Sequence, residues 1–306
     1  MEKVKSMSQA VLVPFAAICI FLALWSYGAS RVNTSLGAVP GPSMVFTQAK
    51  VLIGEHFAER QRQADFYKQQ DEDNKKKLAE DPHAETQHFK WTGPATYIDQ
   101  IFTSLKTVFT GFLLATLVAV PIGILCGLSK AVQTALNPII QVFKPVSPLA
   151  WLPIVTLVVS AVYVTSDGAM FQKSFLISAI TVTLCSLWPT LINTAIGVNS
   201  VDKDLLNVAR ALQLPALTKV RKIIVPSALP FIFTGMRLSL SVGWMVLIAA
   251  EMLAQNPGLG KFVWDEFQNG SADSLGRIMV AVLTIGIIGF LLDRIMLALQ
   301  QLASRR

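Results

Sequence analysis

The stretch TVFTGFLLATLVAVPIGILCGLS, residues 107–129, carries no charged side chain between Lys106 and Lys130. A bilayer core takes about 20 apolar residues as one helix, so this stretch reads as a membrane span. Working outward, the same test finds five more windows. Residues 10–28 carry no charge, nor do 145–166 between Lys144 and Asp167, nor 174–201 between Lys173 and Asp202. Residues 223–250 hold one charge, Arg237, and residues 278–300 hold only the adjacent Asp293 and Arg294. None of these windows alternates at period two, so a β-barrel is not supported. The expected fold is an all-α integral membrane protein of about six transmembrane helices.

Composition agrees. Of 306 residues, 53% are apolar and 15% charged, against ~25% charged in soluble domains. Mean hydropathy is +0.52. These figures disfavour a soluble enzyme, a disordered chain and a nucleic-acid binder. The net charge of +7 takes its meaning from its placement. With the N-terminus inside, the inner side holds Lys3, Lys5, Lys130, Lys203, Arg210, Lys219, Arg221, Lys222, Arg305 and Arg306, while short outer loops hold only Lys173 and Lys261. Cytoplasmic loops carry the excess of Lys and Arg, so both termini are expected in the cytoplasm. The charge marks topology, and the partner it implies is the lipid bilayer. The first span follows Lys3 and Lys5, but it is longer than a ~7–15-residue signal core and no A-x-A site follows, so it reads as retained. Cys19, Cys126 and Cys185 lie in apolar stretches without C-x-x-C spacing, which predicts neither disulfide nor metal.

Residues 47–90 are of another character, with eight Lys or Arg, nine Asp or Glu, and His56, His83 and His88. The Glu-, Gln-, Lys- and Ala-rich run from Gln48 to Ala79 predicts a polar helix or helical hairpin, bounded by Pro40, Pro42 and Pro94. His83 and His88 sit five apart and do not share a helix face, so a solvated external insertion is expected rather than a metal site. The organisation is then a cytoplasmic N-terminus (1–9), a first span (10–28), an external polar insertion (29–100), a permease core of five spans (101–300) and a cytoplasmic tail (301–306). Pro138, Pro145, Pro148 and Pro153 forbid a straight third span. It reads equally as a kinked element lining a path or as a re-entrant segment before a helix that begins near Trp151.

The cytoplasmic loop 201–228, VDKDLLNVARALQLPALTKVRKIIVPSA, is the most informative segment. Asp202 can cap a short helix. On that helix Leu205, Ala209 and Leu212 share one face, and Lys203, Asn207 and Arg210 another. Such a helix suits docking of a soluble partner or lying on the bilayer.

This loop resembles the EAA loop of bacterial ATP-binding cassette (ABC) importer permeases, E-A-A-x3-G-x9-I-x-L-P. Ala209 takes the third position, and Ile223 and Pro226 the later ones. Asn207, Val208, Gln213 and Val225 replace the Glu, first Ala, Gly and Leu. With the glycine replaced, Pro215 becomes a candidate end of the helix. LNPIIQVFKPVSPLAWLPIV (136–155), PSALPFIFTGMRLSLSVGWMVLIAAEML (226–253) and NPGLGKFVWDEF (256–267) resemble the nitrate/sulfonate/taurine branch of these permeases. SLKTVFTGFLLATLVAVPIGILCGLSK (104–130), TVTLCSLWPTLINTAIGV (181–198) and the polar insertion after the first helix look closest to nitrate-type permeases.

The resemblance implies a bacterial inner-membrane transport subunit with no catalytic residue and no cofactor of its own. ATP and magnesium would sit on separate cytoplasmic ATPase subunits. Those subunits would dock on the coupling loop through Leu205, Ala209, Arg210, Leu212, Gln213, Ile223 and Pro226. A binding protein or domain would deliver the anion outside, and a second permease copy would complete the pore. Nitrate, with nitrite beside it, is the implied cargo; taurine or other sulfonates, cyanate and bicarbonate are the alternatives. The chain agrees in having no Walker A: the string ending Gly260-Lys261 has Gln255 where the first Gly belongs and Phe262 where Ser or Thr belongs.

Arg237 within a span reads either as an attractor for the anion or as half of a structural ion pair. Ser239, Thr183 and Asn193 are candidates for the path or for helix packing. Glu251 near the outer end would repel an anion, so partner docking or a structural bond suits it better. A secondary transporter would need internal symmetry that the halves do not display. An intramembrane enzyme would need H-E-x-x-H or G-x-S-x-G in a span, and neither occurs.

Overall fold

A computed structural model describes residues 2–34, 37–81, 85–164, 171–271 and 273–304. His83, Asp167, Arg305 and Arg306, used above for the insertion, the third window and the charge balance, lie outside the described residues. In chain order the elements are α1 (Glu2–Ala29), β1 (Asn33–Thr34), β2 (Gly37–Ala38), α2 (Pro42–Glu80), α3 (Tyr97–Leu128), α4 (Lys130–Phe143), α5 (Pro148–Val162), α6 (Lys173–Asn199), α7 (Lys203–Ala211), α8 (Ala216–Lys219), a π-helical turn (Val220–Ile224), α9 (Val225–Ala254), α10 (Leu259–Asn269) and α11 (Ser274–Ser304). The two short strands pair antiparallel, Asn33 opposite Ala38 and Thr34 opposite Gly37; every other regular element described is helical.

Five helices are long and apolar enough to cross a membrane: Leu12–Ala29, Tyr97–Leu128, Lys173–Asn199, Ala216–Ala254 and Ser274–Ala303. The sixth expected span is the pair α4 and α5, which meets the same test only together and bends by 100° between the two. The proline-rich stretch is therefore broken. Ser147 caps α5, its hydroxyl accepting from the Leu149 N–H at 3.3 Å, and Pro148 occupies the first turn, where a missing N–H does no harm. The helix thus starts three residues before Trp151.

The chain divides into two compact units, Met1–Gln100 with Phe262–Leu283, and Ile101–Lys261 with Thr284–Arg306. In the first, the polar insertion forms one helix of 39 residues rather than a hairpin. An extended return follows and is pinned along it. Asn74 donates to the Gln87 carbonyl at 2.8 Å and accepts from its N–H at 3.1 Å. The Tyr67 hydroxyl accepts from the Trp91 N–H at 3.1 Å. Gln48 donates to Asp273 at 2.7 Å, and Arg277 pairs with Glu55 and Glu266. His56 shares a 2.7 Å hydrogen bond with Thr96.

In the second unit α6 is the most enclosed span, and small residues on its neighbours let their backbones close in. On α3, Gly111, Ala115, Ala119, Gly123 and Gly127 recur every fourth residue, so they line one face. A Cβ at Gly123 would lie 2.7 Å from the Leu191 carbonyl and Thr194. On α9 the same spacing places Gly235, Ser239 and Gly243 in a row, and a Cβ on Gly235 would meet Asn193 at 2.8 Å. Leu152, Val155 and Val159 of α5 complete this packing with Ile177 and Ala250.

Candidate functional site

The loop between α6 and α9 is built from its caps outward. Asp202 ends the extended entry and its side chain accepts from the Asp204 N–H at 2.9 Å, fixing the start of α7. At the other end the Leu214 N–H reaches back to the Ala209 carbonyl at 3.1 Å, and the Gln213 N–H to the Arg210 carbonyl at 2.9 Å. That pair of bonds is a Schellman turn, which needs a left-handed residue at its first outside position. Gln213 supplies it with φ of 50°. The tight turn therefore survives the replacement of glycine, and α7 ends before Pro215 is reached.

Beyond the turn, Val220–Ile224 takes a π-helical turn whose last bond runs from the Val225 N–H to the Val220 carbonyl. Pro226 follows at once. A proline ring collides with the carbonyl four residues back in an ordinary helix, and a widened turn relieves that collision.

The faces of α7 are now distinct. Ala209 is buried and Leu206 half-buried. Leu206 packs against the cluster of Val198, Val201, Ile224, Ala228 and Ile232, as does Ile223. Leu205, Val208 and Leu212 are exposed, at 45%, 55% and 66%. Ala209 thus points into this chain, while Leu205 and Leu212 belong to an outward apolar stripe with Val208. Arg210 is exposed and contacts Asn207 at 3.4 Å; Gln213 and Pro226 are exposed as well.

The residues expected along a path do not converge. Arg237 forms a two-pronged pair with Asp293 of α11, Nε to Oδ1 at 2.5 Å and Nη2 to Oδ2 at 2.9 Å. The Thr183 hydroxyl donates its one proton to the Ala179 carbonyl at 2.8 Å or to that of Gly111 at 3.1 Å. Asn193 donates to the Pro189 carbonyl at 2.8 Å. Ser239 is buried against α6, bonded to Thr190 and Ser186.

Glu251 is fully buried. Its two oxygens, each 2.8 Å from the Ser104 hydroxyl, share that group's one proton, and one accepts from the Gly260 N–H at 3.0 Å. The Leu259 N–H donates in turn to Ser104 at 2.9 Å. Asn256 joins α3 by donating to Thr107 at 3.2 Å. The turn of the NPGLG string is thus wrapped round this carboxylate: a side chain at Gly258 would overlap it, and one at Gly260 would overlap the Ile248 carbonyl. Sequence reasoning missed this network and the four-residue glycine and alanine spacing on α3, although the spacing was there to be read.

A bundle of apolar helices, a broken span and a short capped helix joining two spans define a multi-pass membrane permease. Residues 119–306 match the family described as binding-protein-dependent transport system inner membrane component, and the chain belongs to that family. It is 35% identical over 205 residues to the nitrate import permease protein NrtB of Synechococcus elongatus, covering 67% of this chain and 69% of that one. It is 31% identical over 302 residues to the bicarbonate transport system permease protein CmpB of the same species, covering 98% and 92%. Its fold is similar to that of a chain of the inward-facing MetNI methionine ABC transporter, with a TM-score of 0.56 and 14% identity over 68% of this chain and 95% of that one. The protein is a permease subunit of an ABC importer and works with separate ATPase subunits; it is a transport subunit, not an enzyme.

Proposed function

We propose that this permease carries a small planar oxyanion, nitrate, into the cell across the bacterial inner membrane. The single observation behind this reading is its likeness to a nitrate import permease over 205 residues. Bicarbonate is the second reading, favoured by a likeness that runs through 98% of the chain, insertion included. The two anions share a shape: three oxygens in a plane and one negative charge.

In this reading both termini and the loop 201–228 face the cytoplasm, and the insertion 29–100 faces outward. Two copies of the chain form the pore. A binding protein brings the anion to the outer face. ATP and magnesium act on the ATPase subunits, whose closure is passed through α7 to α6 and α9. The exposed stripe Leu205, Val208 and Leu212 is the apolar contact, and the caps at Asp202 and Gln213 make the helix stiff enough to transmit force. Arg237, Ser239 and Thr183 hold helices that must move together, and Asn193 braces its own helix beside Pro189.

The test is reconstitution with the cognate ATPase and binding protein in liposomes. Labelled nitrate, nitrite, cyanate, bicarbonate and taurine are compared for uptake that requires ATP. Nitrate uptake at the highest rate supports the proposal. Preference for bicarbonate moves the assignment to the second reading, and preference for taurine overturns both.

A further inference from the structure

Lys106 is exposed, at the N-terminal third of α3, and its ammonium lies over two stacked rings. The distances are 5.6 Å to the Phe171 ring centre and 5.3 Å to that of Phe175. The rings are 5.3 Å apart and nearly parallel at 12°. Among the described residues the Lys106 ammonium has no hydrogen bond and no ion pair; its backbone carbonyl accepts from the Thr110 hydroxyl at 2.8 Å. Ring faces attract a cation only weakly at an exposed site, about 0.5–1 kcal/mol, and they accept none of its three N–H groups in good geometry. By the described residues the ammonium is therefore positioned but not neutralised.

Beside it is a cavity of about 230 Å³. Thr103, Gln172 and Asn256 line it with the two phenylalanines, and among the described residues no carboxylate does. Glu251, the acid bonded to the same turn, has its oxygens occupied by Ser104, Gly260 and Asn256. Gln172 stands at the N-cap of α6, and its side chain caps nothing. The first-turn amides of α6 therefore add positive potential from that edge. A water claims ~30 Å³ of liquid, so the cavity has room for a four-atom anion with some of its hydration.

We propose that this cavity is a reception site for a small oxyanion at the outer end of the bundle. Lys106 is the charge that draws the anion from its delivery protein, and the amides of Gln172 and Asn256 flank it. The inference rests on the oxyanion reading above and deepens it. Charge sets the site, so it accepts nitrate and bicarbonate alike and leaves the choice between them to the delivery protein. The rings hold the ammonium without pairing it, so the anion is bound loosely enough to leave.

The test uses the assembled complex in liposomes. In the wild type, an amine-acetylating reagent is applied in nitrate or in gluconate, and the modified lysines are mapped by mass spectrometry. Nitrate should slow acetylation of Lys106 several-fold and leave Lys144 and Lys173 unchanged. Separately, Lys106→Gln should lower uptake per complex about ten-fold at saturating loaded binding protein, the loss of one charge-assisted contact. Lys106→Arg should restore most of it. If the wild type imports the anion yet Lys106 is acetylated equally in both salts, this inference fails and the oxyanion reading stands. Full uptake by Lys106→Gln has the same meaning. If none of the tested oxyanions is imported, that reading fails and the reception site falls with it.

Discussion

The Ser239 hydroxyl of α9 sits between the Thr190 N–H and the Ser186 carbonyl of α6, two groups four residues apart that bond each other in an uninterrupted helix. It accepts from the Thr190 N–H at 3.1 Å and donates to the Ser186 carbonyl. Its one proton is spent there, so the Thr190 hydroxyl, 2.7 Å away, must be donating to it. Pro189 precedes this turn and lacks the N–H that would bond the Cys185 carbonyl. A neighbouring helix has thus supplied a hydroxyl to the turn where α6 is weakest. Ser239→Ala should leave buried backbone groups short of a partner and destabilise the protein by about 1–3 kcal/mol. Thermal unfolding in lipid nanodiscs would read this, with Ser241→Ala as control, since Ser241 is exposed and bonds only its own helix. Equal melting of the two variants would remove the splint role.

Arg237 and Asp293 join α9 to α11 with side chains only 33% and 24% exposed. Removing one partner leaves a charge facing apolar surroundings, which is worse than removing both. Arg237→Gln and Asp293→Asn should each lower the yield of assembled complex several-fold, and the double variant should recover part of the loss. Size-exclusion yield and thermal midpoint measure it. Strict additivity of the two single losses would show that the pair is not coupled.

Gln213 occupies a left-handed turn that glycine adopts without steric penalty. The penalty for a side chain there is about 1 kcal/mol. Gln213→Gly should steady the Schellman turn by roughly that amount, and Gln213→Val should weaken it by more, because a β-branched residue tolerates positive φ poorly. Hydrogen exchange at the amides of residues 212–214 distinguishes them: slower in the glycine variant, faster in the valine variant. The reverse order would contradict the turn geometry.

These residues show what was legible in sequence. Spans could be read because burial in lipid demands long uncharged runs, and that demand is local. The third span was readable only as broken; its 100° bend depends on where Ser147 caps, which four prolines leave open. Arg237 was visible as an anomaly, but its partner lies 56 positions away, and no local rule pairs them. The inward turn of Ala209 was hidden for another reason. Leu205, Ala209 and Leu212 do share a side of α7, but Ala209 is buried while the other two are exposed, and a helical wheel carries no tertiary neighbours.

Topology has a direct test. In a background freed of Cys19, Cys126 and Cys185, a cysteine replacing the exposed Gln69 should react with an impermeant maleimide from outside. One replacing Leu217, 79% exposed, should react only after the membrane is permeabilised. The opposite pattern would invert the cytoplasmic assignment of the coupling loop.

The last prediction separates folding from docking on α7. Val208→Asp places a charge on the exposed stripe, where water solvates it before the ATPase arrives. The permease should therefore insert and fold as the wild type does, yet lose the ATPase on co-purification, because docking would bury an unpaired carboxylate. Leu205→Asp and Leu212→Asp should act in the same way. Ala209→Asp differs. Ala209 is 1% exposed within this chain, so the carboxylate would be buried whether or not a partner is present. That variant should lose stability by itself, by several kcal/mol if the charge finds no partner. Detergent-extracted monomer would melt lower for Ala209→Asp and unchanged for Val208→Asp, while ATPase retention falls in both. If Val208→Asp keeps its ATPase subunits and its coupled uptake, the stripe is not the docking face, and the contact must be sought along the basic residues 219–222 instead.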